Sequence, residues 1–425
     1  MSKPIVVVSC PIDTYSGYGA RARDVVKSLI ATDKYDVKIL AQRWGNTRFG
    51  YLEEHNEHDM TSRVINQLTA KPDIWIQITV PNEFQKVGTF NIGITAGIET
   101  TQCDASWLEG VNRMDLILVS SNHSKNVFTQ TKYDIHHKQT NQKQGQLTAT
   151  TPIEVLFEGV DIETYFPKPS NNIDLSVIKE QFVFLFVGHW LNGTLGEDRK
   201  NVGWMIKAFC ETFKNKNNAP ALLLKAQTAG SSIMDRERML DKIDNIKKTI
   251  RGKCPNVYLM HGEVTDSEMN NLYNHPKVKA MLSFTKGEGF GRPLLEFSMV
   301  KKPIIASGWS GQTDFLDKQL TYLVGGDLKK IHKSAVQKNV LLEDSSWFQA
   351  NEQEAAKAMK AVYKHYKQLL INAKKQGTQN RNNFSLKAME ELLDKYLTQY
   401  LPEFPKQIEL TLPKLELPKL EKINE

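Results

Sequence analysis

The chain has 425 residues, 40% of them hydrophobic and 24% charged, with a formal net charge of +7. At roughly 150 residues per domain this is enough for two or three packed domains, and it excludes a wholly disordered chain. No apolar run approaches the ~18 residues of a membrane span. The four cysteines, Cys10, Cys103, Cys210 and Cys254, lie too far apart for zinc spacing and give no pattern of a disulfide framework. The positive charge favours anionic partners (nucleotides, nucleic acid or a lipid surface) without choosing among them.

The first apolar stretch, residues 5–9, is too short for a signal-peptide core and predicts a buried strand, so the expected location is the cytoplasm. Residues 20–30 predict a helix with Val25, Val26, Leu29 and Ile30 on one face. Residues 37–41, 74–79, 92–95 and 116–120 predict further strands. Strands alternating with helices imply a parallel sheet covered on both sides. Residues 133–151 are polar and predict a loop. Alternation then restarts, with strands over 182–187, 221–225, 257–260, 280–284 and 303–306 and helices over 204–213 and 266–273. Two α/β domains in series account for the length. Residues 355–375 and 385–400 predict helices, the second capped by Ser385. Beyond Pro402 runs a repeat in which Pro413 and Pro418 each begin a Pro-Lys-Leu-Glu unit. Proline at that spacing forbids a long helix. The tail reads as disordered, or as an extended arm that docks on a partner and makes an oligomer.

The densest chemistry is Thr285-Lys286-Gly287-Glu288-Gly289-Phe290-Gly291-Arg292-Pro293-Leu294-Leu295-Glu296, directly after a predicted strand. The glycines let backbone amides approach a ligand. Pro293 suits a first helical turn, whose N-terminus would face the loop and attract an anion such as a diphosphate. Glu288 in the loop and Glu296 in the helix can face one ligand. Carboxylates are poor phosphate ligands but good acceptors for sugar hydroxyls. The bland alternative is a Gly-rich turn with a solvated helix start.

This segment resembles the retaining glycosyltransferases of GT-B fold, family 4-like, whose hallmark is an E-x7-E pair within EGFG-x-P-x-x-E. Here the pair is Glu288 and Glu296. The likeness continues through residues 302–315, and through Glu158-Gly159-Val160-Asp161, which resembles the family's linker into its second domain. Gly188-His189 resembles a strand ending in Gly-Arg, with His189 in place of the arginine. The resemblance implies two Rossmann-like domains facing across a cleft. It places the acceptor-side domain at 1–153, the nucleotide-sugar domain at 154–383, a helix crossing back at 384–401 and an extended tail at 402–425. It also implies that Lys200 holds the donor diphosphate and that Arg199 supplies the charge missing at His189. Glu296 would hold the ribose, while Glu288 and the amides of Gly289, Phe290 and Gly291 hold the sugar. Gly188, His261 and Gly262 would line the donor site, with Gly17 and Gly19 of a first glycine turn near its phosphates. Glu99 and His123 fall where the family places acceptor-side residues. The chain contains no Asp-x-Asp pair, which agrees with a mechanism that uses no metal. No cofactor is expected, only a nucleotide diphosphate-sugar donor, taken to be a UDP-sugar.

From Ala355 to Met389 there are eight basic residues and no acidic one. Lys357, Lys360, Lys364 and Lys367 are spaced for one helix face. They read either as a solvated face or as a track for a polyanionic acceptor. The first half, with Pro81-Asn82-Glu83-Phe84 and Gly97-Ile98-Glu99-Thr100, is similar to glycosyltransferases encoded by large-tailed phages. Together these make a hydroxymethylated pyrimidine in DNA the expected acceptor, in a host cytoplasm. Glycan, lipid-linked and small-molecule acceptors are the alternatives. A GT-B epimerase and a non-catalytic binder are the rival classes.

Overall fold

The computed structural model describes residues 3–404 apart from 192, 194 and 229–231. The first half forms β1 (Ile5–Cys10), β2 (Asp36–Ala41), β3 (Ile74–Ile78), β4 (Phe90–Thr95), β5 (Leu116–Val119), β6 (Tyr133–His136), β7 (Lys143–Leu147) and β8 (Ile153–Val155). The second forms β9 (Val183–His189), β10 (Ala221–Gln227), β11 (Val257–Met260), β12 (Val278–Ser283), β13 (Ile304–Ser307), β14 (Tyr322–Val324), β15 (Gly326–Lys330) and β16 (Ser346–Ala350). Six strands pair in the order β2-β1-β3-β4-β5-β8, and six more in the order β11-β10-β9-β12-β13-β14. Every pairing within these two sheets is parallel. Each sheet, packed on both faces, forms one domain.

Helix starts follow local chemistry. The predicted helix over 20–30 begins earlier, spanning Gly17–Ala31, because Ser16 Oγ accepts the amide of Gly19 at 2.9 Å. Thr265 and Glu268 close a reciprocal capping box on the helix Asp266–Asn274. The expected loop over 133–151 is instead an antiparallel hairpin of β6 and β7, tied down where Tyr133 Oη donates to Cys103 O at 2.6 Å. Most of its residues are exposed, so no apolar alternation marks it in the sequence. A second antiparallel hairpin, β15 with β16, was likewise invisible to periodicity.

The helix Leu386–Tyr400 returns from the second domain and buries Met389, Leu393 and Leu397 in the core of the first sheet. The two interdomain passes hydrogen-bond each other, Val160 N to Phe384 O and Leu386 N to Val160 O, both at 2.9 Å. Gly159 permits this approach, since a Cβ there would sit 2.7 Å from Leu386 Cα. The tail repeat lies outside the described residues.

Segments after the strands' carboxyl ends meet between the domains. Ser120, after β5, donates from Oγ to Gly289 O at 3.0 Å, and the Asn122 amide donates to Asp314 Oδ2 at 2.8 Å. Arg48, after β2, pairs with Glu263, after β11, at 2.8 Å. Carboxyl ends facing a crevice are where open α/β sheets bind ligands.

Candidate functional site

The glycine loop after β12 reaches the first domain so closely that side chains are impossible at two positions. A Cβ on Gly287 would lie 1.9 Å from Glu99 O, and one on Gly289 2.0 Å from Ala96 O. Gly291, at φ 103°, ends the loop and starts the helix Arg292–Met299, with Pro293 in its first turn. The Phe290 side chain turns into the core against Phe315, so only its backbone belongs to the loop.

Three predicted residues converge here. Lys200 Nζ donates to Glu288 Oε1 at 2.6 Å, and Arg199 Nη1 to Glu288 Oε2 at 3.2 Å. The cations reach this point because Asn201, at φ 57°, turns the chain into the helix Val202–Phe213 directly behind them. Burial drives the Lys200 ammonium below its usual value, and the Arg199 charge adds to this against Glu288. Burial works to raise the Glu288 carboxyl, but the Lys200 and Arg199 charges outweigh it and hold it low. Glu99 faces the same cluster from the first domain, 3.7 Å from Arg199. A cavity of about 550 Å³ opens beside it, lined in part by Glu99, Asp198, Arg199 and Trp347.

Glu296 lies one turn into its helix and is nearly buried. Its oxygens accept Arg292 Nε at 3.1 Å and Tyr273 Oη at 3.3 Å. Arg292 also reaches Asp24 of the first domain at 2.6 Å. Burial pushes the Glu296 carboxyl up to about 7, with Arg292 opposing. A carboxylate offers about four lone-pair sites, so two remain for a diol.

The other predicted residues divide. Gly188 ends β9 beside His189, whose Nδ1 lies 3.3 Å from Thr228 O. Gly262, at φ 105°, accepts Lys225 Nζ on its carbonyl at 2.6 Å, and the buried His261 Nε2 has no partner among the described residues. His123 packs edge-on to Trp309 of the second domain at 4.6 Å, and burial lowers its imidazole to about 4. Gly17 is open to solvent, whereas Gly19 gives its amide to Ser16 Oγ. It is buried 2.3 Å, in Cβ terms, from Thr14 O and serves the turn itself.

The lysine face is not on the acceptor side. Lys357, Lys360, Lys364 and Lys367 are exposed on the helix Glu352–Asn383. Between them, Tyr363 donates to Asn218 O ahead of β10 and packs on Phe182 ahead of β9. That is the amino end of the second sheet, whereas the cleft lies at its carboxyl end. Non-helical geometry at His365 also breaks the face between Lys364 and Lys367.

Sequence reasoning missed Tyr273, Asp24 and the linking role of Arg292. Arg292 and Glu296 carried a usable signal, an opposite-charge pair four residues apart on one helix. Asp24 and Tyr273 come from distant elements and carried none.

Solved structures repeat this architecture along nearly the whole chain. HepE from Anabaena, in complex with UDP and glucose, aligns with a TM-score of 0.63 at 13% identity, over 93% of this chain and 100% of its own. The fold is GT-B. Sucrose-phosphate synthase from Thermosynechococcus elongatus gives 0.62 at 12% identity, covering 93% of this chain and 98% of the synthase. A glycosyltransferase from Rickettsia africae gives 0.61 at 15%, covering 94% and 99%. No protein-family model matches the chain, and a search of curated proteins returns no match. In GT-B terms, the cluster of Arg199, Lys200 and Glu288 stands at the interdomain crevice on the second domain's edge. Among the described residues no group of three or more His, Cys, Asp or Glu is placed to hold a metal ion.

Proposed function

We propose that the chain is a retaining, metal-independent glycosyltransferase that moves a sugar from a UDP-sugar to an acceptor hydroxyl. The observation that carries this reading is the convergence of Arg199 and Lys200 on Glu288, at a glycine loop pressed against the other domain. The E-x7-E spacing of Glu288 and Glu296 supports a place beside the family 4-like enzymes, and the likeness of residues 81–84 and 97–100 to phage glycosyltransferases is the motive for a phage-type member in the cytoplasm. No helix among the described residues is long and apolar enough to cross a membrane.

In this mechanism Lys200 and Arg199 leave Glu288 and take the diphosphate, where negative charge grows as the C1–O bond breaks. Glu288, released, accepts hydroxyls of the donor sugar, and the amides of residues 289–291 orient it. Glu296 accepts the ribose diol. The departing phosphate oxygen takes the acceptor's proton as the new C1–O bond forms on the same face. HepE has been solved with UDP-glucose, which makes UDP-glucose the first donor to try.

The expected DNA acceptor drew on the likeness to phage glycosyltransferases, on the lysine helix and on the basic polar stretch over 133–151. The lysine helix lies away from the cleft, which leaves the likeness and the basic hairpin of β6 and β7, with Lys138 and Lys143, as its motives. An uncharged acceptor is therefore the reading preferred here. Mass spectrometry after incubation with a panel of nucleotide sugars, hydroxymethylated DNA and glycosides tests it. A +162 Da adduct or its equivalent on any acceptor, undiminished by EDTA, is the expected result. Abolition by EDTA would remove the metal-independent step, and donor turnover without any adduct would identify an epimerase.

A further inference from the structure

A second cavity, also about 550 Å³, lies in the first domain at the carboxyl ends of β1, β2 and β3. That size is within the roughly 300–1,000 Å³ of ligand pockets. Its walls include two indoles, the buried Trp75 and the half-buried Trp44. Trp44 is held by stacking on Tyr18, with ring centres 4.1 Å apart.

The polar lining is built and partly unspent. Gln77 is fixed, its Oε1 accepting the Gln85 amide at 2.8 Å and its Nε2 donating to Glu83 O at 2.9 Å. Thr79 donates to Glu83 Oε2. The other Glu83 oxygen and the Gln42 side-chain amide make no hydrogen bond among the described residues, and both residues line the cavity. The charged lining is one cation and one anion, Arg43 and Glu83.

The cavity is joined to the donor loop by direct contacts. Tyr18 Oη lies 2.9 Å from Thr95 Oγ1 and accepts the Ala96 amide at 3.2 Å. Ala96 O in turn touches Gly289. The cavity is thus linked to the glycine loop through Trp44, the Tyr18 ring behind it and the Ala96 backbone.

We infer that this cavity is the acceptor site and that its occupant is an uncharged glycosyl ring. The inference rests on the glycosyltransferase reading above. A pyranose has an apolar C–H face for an indole and hydroxyls for a carboxylate and an amide, which are the groups left free here. A nucleic acid would bring a phosphate with every nucleotide, and tight binding would need several cations where the lining has one, balanced by Glu83.

The test uses the full chain, saturation-transfer NMR with methyl gluco-, galacto- and mannopyranoside, and calorimetry with UDP. At least one pyranoside is expected to bind. Trp44→Ala should weaken it about tenfold or more, Trp44→Phe should largely restore it, and UDP affinity should stay the same in both variants. The acceptor inference is overturned, with the donor reading intact, when UDP binds but no pyranoside does. The same holds when a hydroxymethylcytosine oligonucleotide binds in their place with steep salt dependence. A chain that binds no UDP overturns the glycosyltransferase reading itself and the inference with it.

Discussion

On the second domain's side of the cleft, Arg199, Lys200, Glu288, Arg292 and Glu296 are mostly buried and bonded to one another or to Asp24 across the crevice. On the first domain's side, Trp44, Trp75 and Gln77 present two rings and an amide around a pocket with almost no net charge, with Tyr18 stacked on Trp44. The charged edge suits a step in which charge moves. Its groups are already paired, so a ligand must replace one partner with another rather than find bare ions, which would be costly to bury. The neutral edge suits recognition of a partner whose charge does not change. Under the proposed function, rate belongs to one edge and choice of acceptor to the other.

The strongest test of that division is Lys200→Ala. Its contact tightens only as diphosphate charge develops, so kcat should fall by about 10²–10³ with acceptor affinity unchanged. Steady-state kinetics with a saturating acceptor checks this. Retention of kcat would separate the cation pair from the chemistry.

Next in size is Glu296→Ala. A ribose contact is made equally in ground and transition states, so KM for the donor should rise, by roughly tenfold or more, with kcat little changed. An unaltered donor KM would take Glu296 away from the ribose and leave Arg292 and Tyr273 as its whole purpose.

A smaller effect concerns stability. The folded chain keeps the Glu296 proton up to about pH 7, whereas the unfolded chain gives it up near the ordinary value of 4.5. Between those values the folded state binds more protons. The contribution is therefore lost as pH rises through that window and is level above it, on the order of 3 kcal/mol in all. Glu296→Gln, which stays neutral, should show a shallower fall in Tm from pH 5 to pH 7 than the wild type. Parallel Tm curves would mean that Arg292 fully compensates the buried charge.

The same contrast explains what could be read from the sequence. Of the charged edge, Glu288 and Glu296 lie eight residues apart on one loop and helix start and were legible from spacing, whereas Arg199 and Lys200 come from a distant segment and were placed only by the resemblance to GT-B transferases. The strands of both sheets were legible because they are buried on two faces and form short apolar runs, such as Val6, Val7 and Val8. The neutral pocket was not legible. Trp44 follows β2, Trp75 and Gln77 lie in β3 and Glu83 beyond it, and only the pairing of Ser9 with Leu40 and Gln77 across three strands brings them together. The two hairpins were missed because β6, β7 and β15 are mostly exposed and carry no apolar alternation, while β16 buries Trp347, Phe348 and Ala350 without strict alternation. The lysine spacing gave a helix but neither the break at His365, which divides the face, nor the end of the sheet on which the lysines lie, since spacing fixes a straight helix's sides and nothing beyond them.

The smallest expected effect belongs to those lysines. Had Lys357, Lys360, Lys364 and Lys367 each neutralised a DNA phosphate, replacing all four by Gln would flatten the plot of log K against log[salt] by roughly three to four units, about 0.9 per contact. The packing of Tyr363 on Phe182 and Asn218 puts them at the far end of the second sheet. The kink at His365 also keeps the four from forming one straight track. The quadruple variant is therefore expected to bind UDP and transfer sugar to a pyranoside as the wild type does, and to shift the salt slope of any DNA binding by less than one unit. These side chains are exposed, so their loss should leave Tm within about 1 kcal/mol of wild type in stability terms. A slope that flattened by three units, with transfer to long DNA lost and transfer to a free nucleoside kept, would break the comparison between the two edges. Acceptor choice would then lie on a surface outside the cleft, and the aromatic pocket would need another occupant.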